Sequence, residues 1–289
     1  MNPISFLTQM VRIAIPYLFA ASGGVVAERS GIISLELEGL MLVGAFSATL
    51  GTHYSGNPWI GVLSGILGGL IFGLLHALAT IRYRADQVVV GIAINLLAIG
   101  VTRFFLKLAF ASSSNSPRIN GFGGRAAAHG FDNPLLLMGL LSAPLLAFFL
   151  YRTPFGLRVR AVGEHPDAAA SVGVSVNRIR YIAVAVSGML AALGGVFLAL
   201  DQHQFTDQMT SGRGFIAVAA VIFGRWDPVK AALACLFFAA AETLQIQLQG
   251  NHVIPSQFIE MIPYALTIIA LAGVVGRAVP PAALGKTGE

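Results

Sequence analysis

The sequence predicts an all-α polytopic membrane protein of about nine transmembrane helices, within a range of about eight to ten, arranged as two inverted-topology repeats with broken helices. Three observations predict it. Of 289 residues, 56% are hydrophobic and only 11% charged, with a mean hydropathy of +0.77, too apolar for a domain whose surface must face water. Apolar runs of about 20 residues, the length of helix that crosses about 30 Å of hydrocarbon, recur along the chain. The second half also repeats motifs of the first.

Composition excludes several classes. The formal charge of +5 could suggest nucleic acid, but the basic residues sit in loops between apolar runs, where the orientation rule of membrane proteins accounts for them. Cys235 is the only cysteine and lies in an apolar run, so neither a disulfide framework nor a cysteine metal site is available. The six histidines are scattered without ligand spacing, which argues against a metal centre.

The first span, residues 4–26, follows an N-terminus without a positive n-region or cleavage site and reads as retained. It carries Pro16 and the small-residue run Ala20-Ala21-Ser22-Gly23-Gly24, which lets helix backbones approach closely. The second, 32–51, is interrupted at ISLELEG by Glu36 and Glu38. The third, 59–80, is glycine-rich and ends in Arg82-Tyr83-Arg84; the fourth, 88–106, follows Asp86-Gln87 and holds Asn95, whose amide should face protein or a cavity. A polar, glycine-rich loop leads to the fifth span, 134–151. After a basic loop come the sixth span, 179–200, a polar passage, and the apolar stretch 214–224, only about half a membrane thick. The turn Arg225-Trp226-Asp227-Pro228 precedes spans at 229–248 and 257–275. Gly285-Lys286-Thr287 near the end resembles a phosphate loop, but Pro280 occupies the first glycine's place and no strand precedes it.

The loop at 152–181 stands apart. Arg152, Arg158, Arg160, Arg178 and Arg180 crowd into it, and its centre reads as a short helix: Pro166 suits a first helical position, Asp167 favours the N-terminal dipole, and Gly173 can cap the end. It is either a grip for a soluble partner or an ordinary positive-inside loop.

Ala20-Ala21-Ser22-Gly23-Gly24-Val25 recurs 171 residues later as Ala191-Ala192-Leu193-Gly194-Gly195-Val196, and the stretch from Glu38 meets the stretch from Arg213 at an offset of 175. Repeat one covers about 4–106, repeat two about 179–276, and the linker span 134–151 lies between them within one domain, 1–289. A single intervening span gives the halves opposite senses in the membrane. The basic loops agree: Arg29, Arg82, Arg84, the five arginines of 152–181, Arg225, Lys230, Arg277 and Lys286 all fall on one side. Inverted repeats are a transporter signature, with the substrate pathway near the midplane beside interrupted helices, here ISLELEG and MTSGRGF.

ERSGIISLELEGLMLVGAF, ADQVVVGIAINLLA, TPFGLRVRAVGEHPDAAASVGVSVNRIRYIAVAVSGMLAALGG, FTDQMTSGRGFIAVAAVIFGRWDP and the closing PPAALGK resemble permease subunits of bacterial ABC importers of the ribose and branched-chain amino acid type, and within them the nucleoside branch. The likeness covers nearly the whole chain. It implies a multi-pass protein of the bacterial inner membrane, embedded in lipid, that hydrolyses nothing itself and needs no cofactor. It also implies three partners: a cytoplasmic ABC ATPase, a second related permease, and an extracytoplasmic substrate-binding lipoprotein.

On that reading the short helix is a lever moved by the ATPase, and Arg158, Arg160, Glu164, His165, Pro166 and Asp167 are candidates for docking it, or else solvated loop residues. A nucleoside has a flat base, a hydroxyl-rich sugar and no charge, so its pathway needs apolar or aromatic faces with a few hydrogen-bonding groups. Glu36, Glu38, Asn95, Gln208, Arg213 and Phe215 are the candidates, with Glu242 and Gln245 behind them, because ionisable groups at membrane depth are costly. Glu38 and Arg213, at matching repeat positions, could instead pair with each other or cap helix ends, and Phe215 could be packing. A simple-sugar permease is the nearest alternative. An ion-coupled secondary transporter would not need the helix-bearing loop, and a membrane enzyme would need a nucleophile or metal set that is not found.

Overall fold

The computed structural model describes residues 3–122, 133–249 and 279–286. Ten α-helices run through the described residues: α1 Pro3–Arg29, α2 Leu37–Ser55, α3 Pro58–Ala77 with a π-turn at Leu78–Arg82, α4 Gln87–Phe110, α5 Pro134–Arg152, α6 Pro154–Glu164, α7 Pro166–Ser171, α8 Val176–Gln202, α9 Arg213–Phe223 and α10 Pro228–Leu248. Four of their starts are written in the sequence as a capping side chain followed by proline. Asn57, Asn133, Thr153 and Asp227 each accept a hydrogen bond from a backbone N–H of the first turn, and proline follows each at a position whose N–H would be orphaned anyway.

Six of the described helices, α1, α3, α4, α5, α8 and α10, are long and apolar enough to cross a membrane. The stretch expected to be half a membrane thick is α9, whose 11 residues reach about 16 Å. The second span begins later than expected, at Leu37, because residues 32–36 form a non-helical lead-in. The expected short helix appears as α7, and Gly173, at φ 83°, closes it with its N–H on the Ala170 carbonyl. Helix α6 before it is an additional element, with Gly156, Val159, Val162 and Gly163 buried along one side. The span expected at 257–275 lies outside the described residues, as do Arg277 and Thr287.

Helices α1 and α8 form the centre. Helix α8 packs on α1, α2 and α3, while α1 packs on α8, α9 and α10; exchanging α1 with α8, α2 with α9 and α3 with α10 turns one set of neighbours into the other. The contacts repeat residue by residue. A Cβ on Gly23 would stand 2.7 Å from the Ser187 carbonyl oxygen, and one on Gly194 would stand 2.8 Å from that of Pro16. Gly23 and Gly194, like Pro16 and Ser187, are 171 residues apart, the spacing of the sequence repeat. Both crossings exist only because no side chain intervenes. Lipid is as apolar as leucine, so this close backbone approach, more than removal of apolar surface from water, holds such helices together.

One face gathers the C-terminal ends of α1 and α5, helices α6 and α7, the start of α8, the α9–α10 turn and residues 279–286, joined by Arg29 to Glu164, Tyr151 to Asp227 and Ala283 N–H to the Gly163 carbonyl. The basic residues expected on one side fall here where they are described, and the positive-inside rule predicts a cytoplasmic side for such a face. On the opposite face the segment after α4 meets the segment before α9 through the bridge Asn115 to Thr206, with Ser116 N–H on the Phe205 carbonyl at 2.9 Å.

Candidate substrate pathway and coupling face

A helix that starts at membrane depth leaves backbone N–H groups without water to satisfy them, so something must accept from them. At α2 that group is Asn95 of α4. Its Oδ1 accepts from Gly39 N–H at 2.7 Å and its Nδ2 donates to the Leu35 carbonyl at 2.9 Å, tying together the two sides of the break. At α9 it is Glu38, from the first turn of α2. Its Oε1 accepts from Thr210 Oγ1 at 2.6 Å and Gly212 N–H at 2.8 Å, and its Oε2 from Gly214 N–H at 2.6 Å. A carboxylate also complements the positive end of the helix dipole. Gly214 makes the approach possible, since a Cβ there would lie 2.3 Å from Glu38 N.

Of the two structural roles open to Glu38 and Arg213, the structure shows capping by Glu38. Arg213 turns instead to Glu242 of α10 at 3.1 Å and to the Met209 carbonyl at 3.2 Å. Glu242 also accepts from the Tyr17 hydroxyl of α1, so α1, α9 and α10 share one half-buried polar network. Glu36 is fully buried, with its Oε2 3.4 Å from Nδ1 of the equally buried His76. Gln208 is exposed on the turn before α9, with φ 54°, and Phe215 is half exposed on the first turn of α9. Gln245 is partly buried one turn beyond Glu242. Thus Glu36, Glu38, Asn95 and Arg213 collect around the two helix starts, while Gln208 and Phe215 present open side chains beside the second.

At the basic face α7 offers Asp167, Ala168, Ala170 and Ser171 to solvent, with Val172 following at 77% exposure. Pro166 opens it after His165, and both line a cleft of ≈ 1350 Å³ together with Arg82, Glu164, Arg180 and Lys286. Arg158 is exposed on α6, whereas Arg160 lies over the Tyr151 ring at 5.0 Å. The Tyr151 hydroxyl donates to Asp227 at 2.8 Å. Glu164 accepts from Ala282 N–H at 3.2 Å and lies 3.7 Å from Arg29. The docking candidates therefore divide: Arg158, His165 and Asp167 are free to meet a partner, and Arg160 and Glu164 are engaged with the body of the protein.

Sequence reasoning missed Tyr17, Glu28, His76 and Trp226, which the fold places in buried polar contacts. Only Glu28 carried a signal, as a charge at the end of an apolar span.

Comparison with known proteins gives the following. The family described as the branched-chain amino acid transport system / permease component matches residues 6–271. The guanosine ABC transporter permease protein NupQ of Bacillus subtilis is 40% identical over 294 residues, spanning 94% of this chain and 92% of the relative. The nucleoside ABC transporter permease protein NupC of Lactococcus lactis is 36% identical over 306 residues, spanning 96% and 95%. Among solved structures, an inward-facing metal-chelate type ABC transporter superposes with a TM-score of 0.54 over 92% of this chain and 85% of that one, at 12% identity, a likeness of fold alone.

Proposed function

This chain belongs to the branched-chain amino acid transport system / permease component family, and from that premise we propose that it carries nucleosides across the bacterial plasma membrane as the permease subunit of an ABC importer. The observation that carries the substrate is the similarity along nearly the whole chain to NupQ and NupC. The protein is a transport component, and ATP hydrolysis falls to a partner ATPase. A substrate-binding protein delivers the nucleoside from outside, and a second permease of the same family completes the pathway.

The functional division follows the chain: repeat one at about 4–106, the linker span 134–151, the coupling loop 152–181 and repeat two at about 179–276. ATPase closure pushes on α7, around Asp167 and the exposed residues after it, with Arg158 and His165 at the edge of the contact. Arg160 and Glu164 pass the push inward, because their contacts are to Tyr151 and Arg29. The repeats then tip against each other and access alternates. In the pathway, Phe215 offers a face for the base, and Gln208 and Arg213 offer hydrogen bonds to sugar hydroxyls or base edges. Glu38 and Asn95 spend their polar atoms on the two helix starts, so they shape the passage by holding its walls. Glu36 sits behind them, buried against His76.

Uptake of labelled guanosine, adenosine, uridine and ribose, in cells lacking the chain and after its restoration, tests the reading. Nucleoside uptake should vanish on deletion, return with the gene, fall on ATP depletion and survive an uncoupler. Loss of ribose uptake alone would replace the substrate with a simple sugar. Dependence on the proton gradient alone would overturn the ABC mechanism.

A further inference from the structure

The end of α1 makes three separate attachments. Glu28, 3% exposed, accepts from Ser34 N–H at 3.3 Å and Ser34 Oγ at 3.1 Å, in the lead-in to α2, and from the Trp226 indole N–H in the turn that closes α9. Arg29 donates through Nε to the Trp226 carbonyl at 2.7 Å and directs a terminal nitrogen to Glu164, at the end of α6. The ion pair at 3.7 Å, half exposed, holds little by itself. Backbone contact supports it: Gly163 lies so close to α1 that a Cβ there would stand 2.1 Å from the Arg29 carbonyl oxygen. Arg225 and Trp226 both lie in the left-handed region, at φ 53° and 55°, a turn that needs outside contacts to hold it.

From these contacts we infer that Glu28, Arg29 and Trp226 form the joint that transmits motion of the coupling segment to both broken helices, with Arg29 as its positioning residue. The two arms of one guanidinium lie on different parts, one on the coupling segment and one on the base of α9. Glu28, one residue earlier, holds the lead-in of α2 and the same tryptophan. Displacement of α6 and α7 is therefore felt at the end of α1 through the Gly163 packing and the Arg29–Glu164 pair, and from there reaches α9 and α2 through short, directional bonds that cannot slide as purely apolar contacts could. Just past that lead-in, the first turn of α2 is locked to the start of α9 through Glu38. The joint and that lock therefore hold α9 at its two ends and the start of α2 between them.

The inference rests on the reading of α7 as the ATPase-docking helix, and the test separates the two. The complete importer, with ATPase, sister permease and binding protein, is reconstituted in proteoliposomes, and guanosine transported per ATP hydrolysed is measured. Arg29→Gln should lower that ratio about tenfold while hydrolysis stays within about twofold of the parent, and Trp226→Phe, which removes the indole N–H and part of the ring volume but keeps an aromatic side chain, should lower it about threefold. Arg29→Lys should recover part of the loss. An unchanged ratio in both Arg29→Gln and Trp226→Phe overturns the joint. So does a fall of uptake and hydrolysis in step in both variants, the mark of a merely structural role. Separately, Ala168→Trp on the exposed side of α7 should release the ATPase during purification. Retention of the ATPase by that variant would refute the docking helix itself, whatever the ratio shows.

Discussion

The two broken helices occupy equivalent places in the repeats but are started in different ways. Helix α2 has 19 residues and a neutral cap, Asn95, and its lead-in has only Gly31 in the left-handed region. Helix α9 has 11 residues and a charged cap, Glu38, and its lead-in forces His203, Gln208 and Ser211 into that region as well as Gly212. A short helix gains little from its own hydrogen-bond ladder, so it depends on its ends. The comparison teaches that repeat one carries the sturdier wall and holds the weaker wall of repeat two in place. Because Glu38 itself rides on the first turn of α2, any motion of α2 is delivered directly to the tip of α9.

The sharpest way to break this comparison is to remove the charged cap. Glu38→Ala strands the Thr210 hydroxyl and the N–H groups of Gly212 and Gly214 away from water, and should cost about 4 kcal/mol and abolish uptake. Glu38→Gln keeps an acceptor but turns an amide donor toward a backbone N–H, for a loss of about 2 kcal/mol. Thermal unfolding in nanodiscs, read beside nucleoside uptake, measures both. Asn95→Ala removes one acceptor and one donor from a longer helix, and should cost about 2 kcal/mol and slow uptake without abolishing it. If Asn95→Ala proves the more damaging substitution, α2 is the weaker wall and the asymmetry runs the other way.

The sequence made the spans legible because a membrane permits few solutions: about 20 apolar residues, polar ends and basic loops on one side. The inverted repeat was readable from two small-residue motifs, and the paired contacts of Gly23 and Gly194 show why those residues recur. Helix α7 was legible from Pro166, Asp167 and Gly173. Helix α6 was not marked as a separate element, although Thr153 followed by Pro154 and the buried side running through Gly156, Val159 and Gly163 announce one. The candidate site was half legible. Buried charge singled out Glu36, Glu38 and Arg213, but their partners are backbone N–H groups or residues on distant helices, and such pairings leave no local pattern. Trp226 read only as part of a turn, since nothing in Arg-Trp-Asp-Pro says that its indole lies against Glu28.

The smallest expected effect sharpens the comparison most finely. If the lead-in of α9 is under backbone strain that the lead-in of α2 lacks, glycine should relieve it at Ser211, φ 46°, and at Gln208, φ 54°. The gain is the left-handed penalty of a side chain less the extra flexibility of glycine in the unfolded chain, leaving about 0.5 kcal/mol of stabilisation per site. Ser211→Gly tests strain alone, and should raise the melting temperature slightly without changing uptake. Gln208→Gly should give a similar gain in stability but raise the KM for nucleoside uptake, because it also deletes an exposed amide of the proposed pathway. Loss of stability in both variants would mean that the turn is held by its side chains and not strained, and the contrast between the two helix starts would then reduce to the charge on Glu38. Equal stabilisation with an unchanged KM in both would keep the strain and remove Gln208 from the pathway.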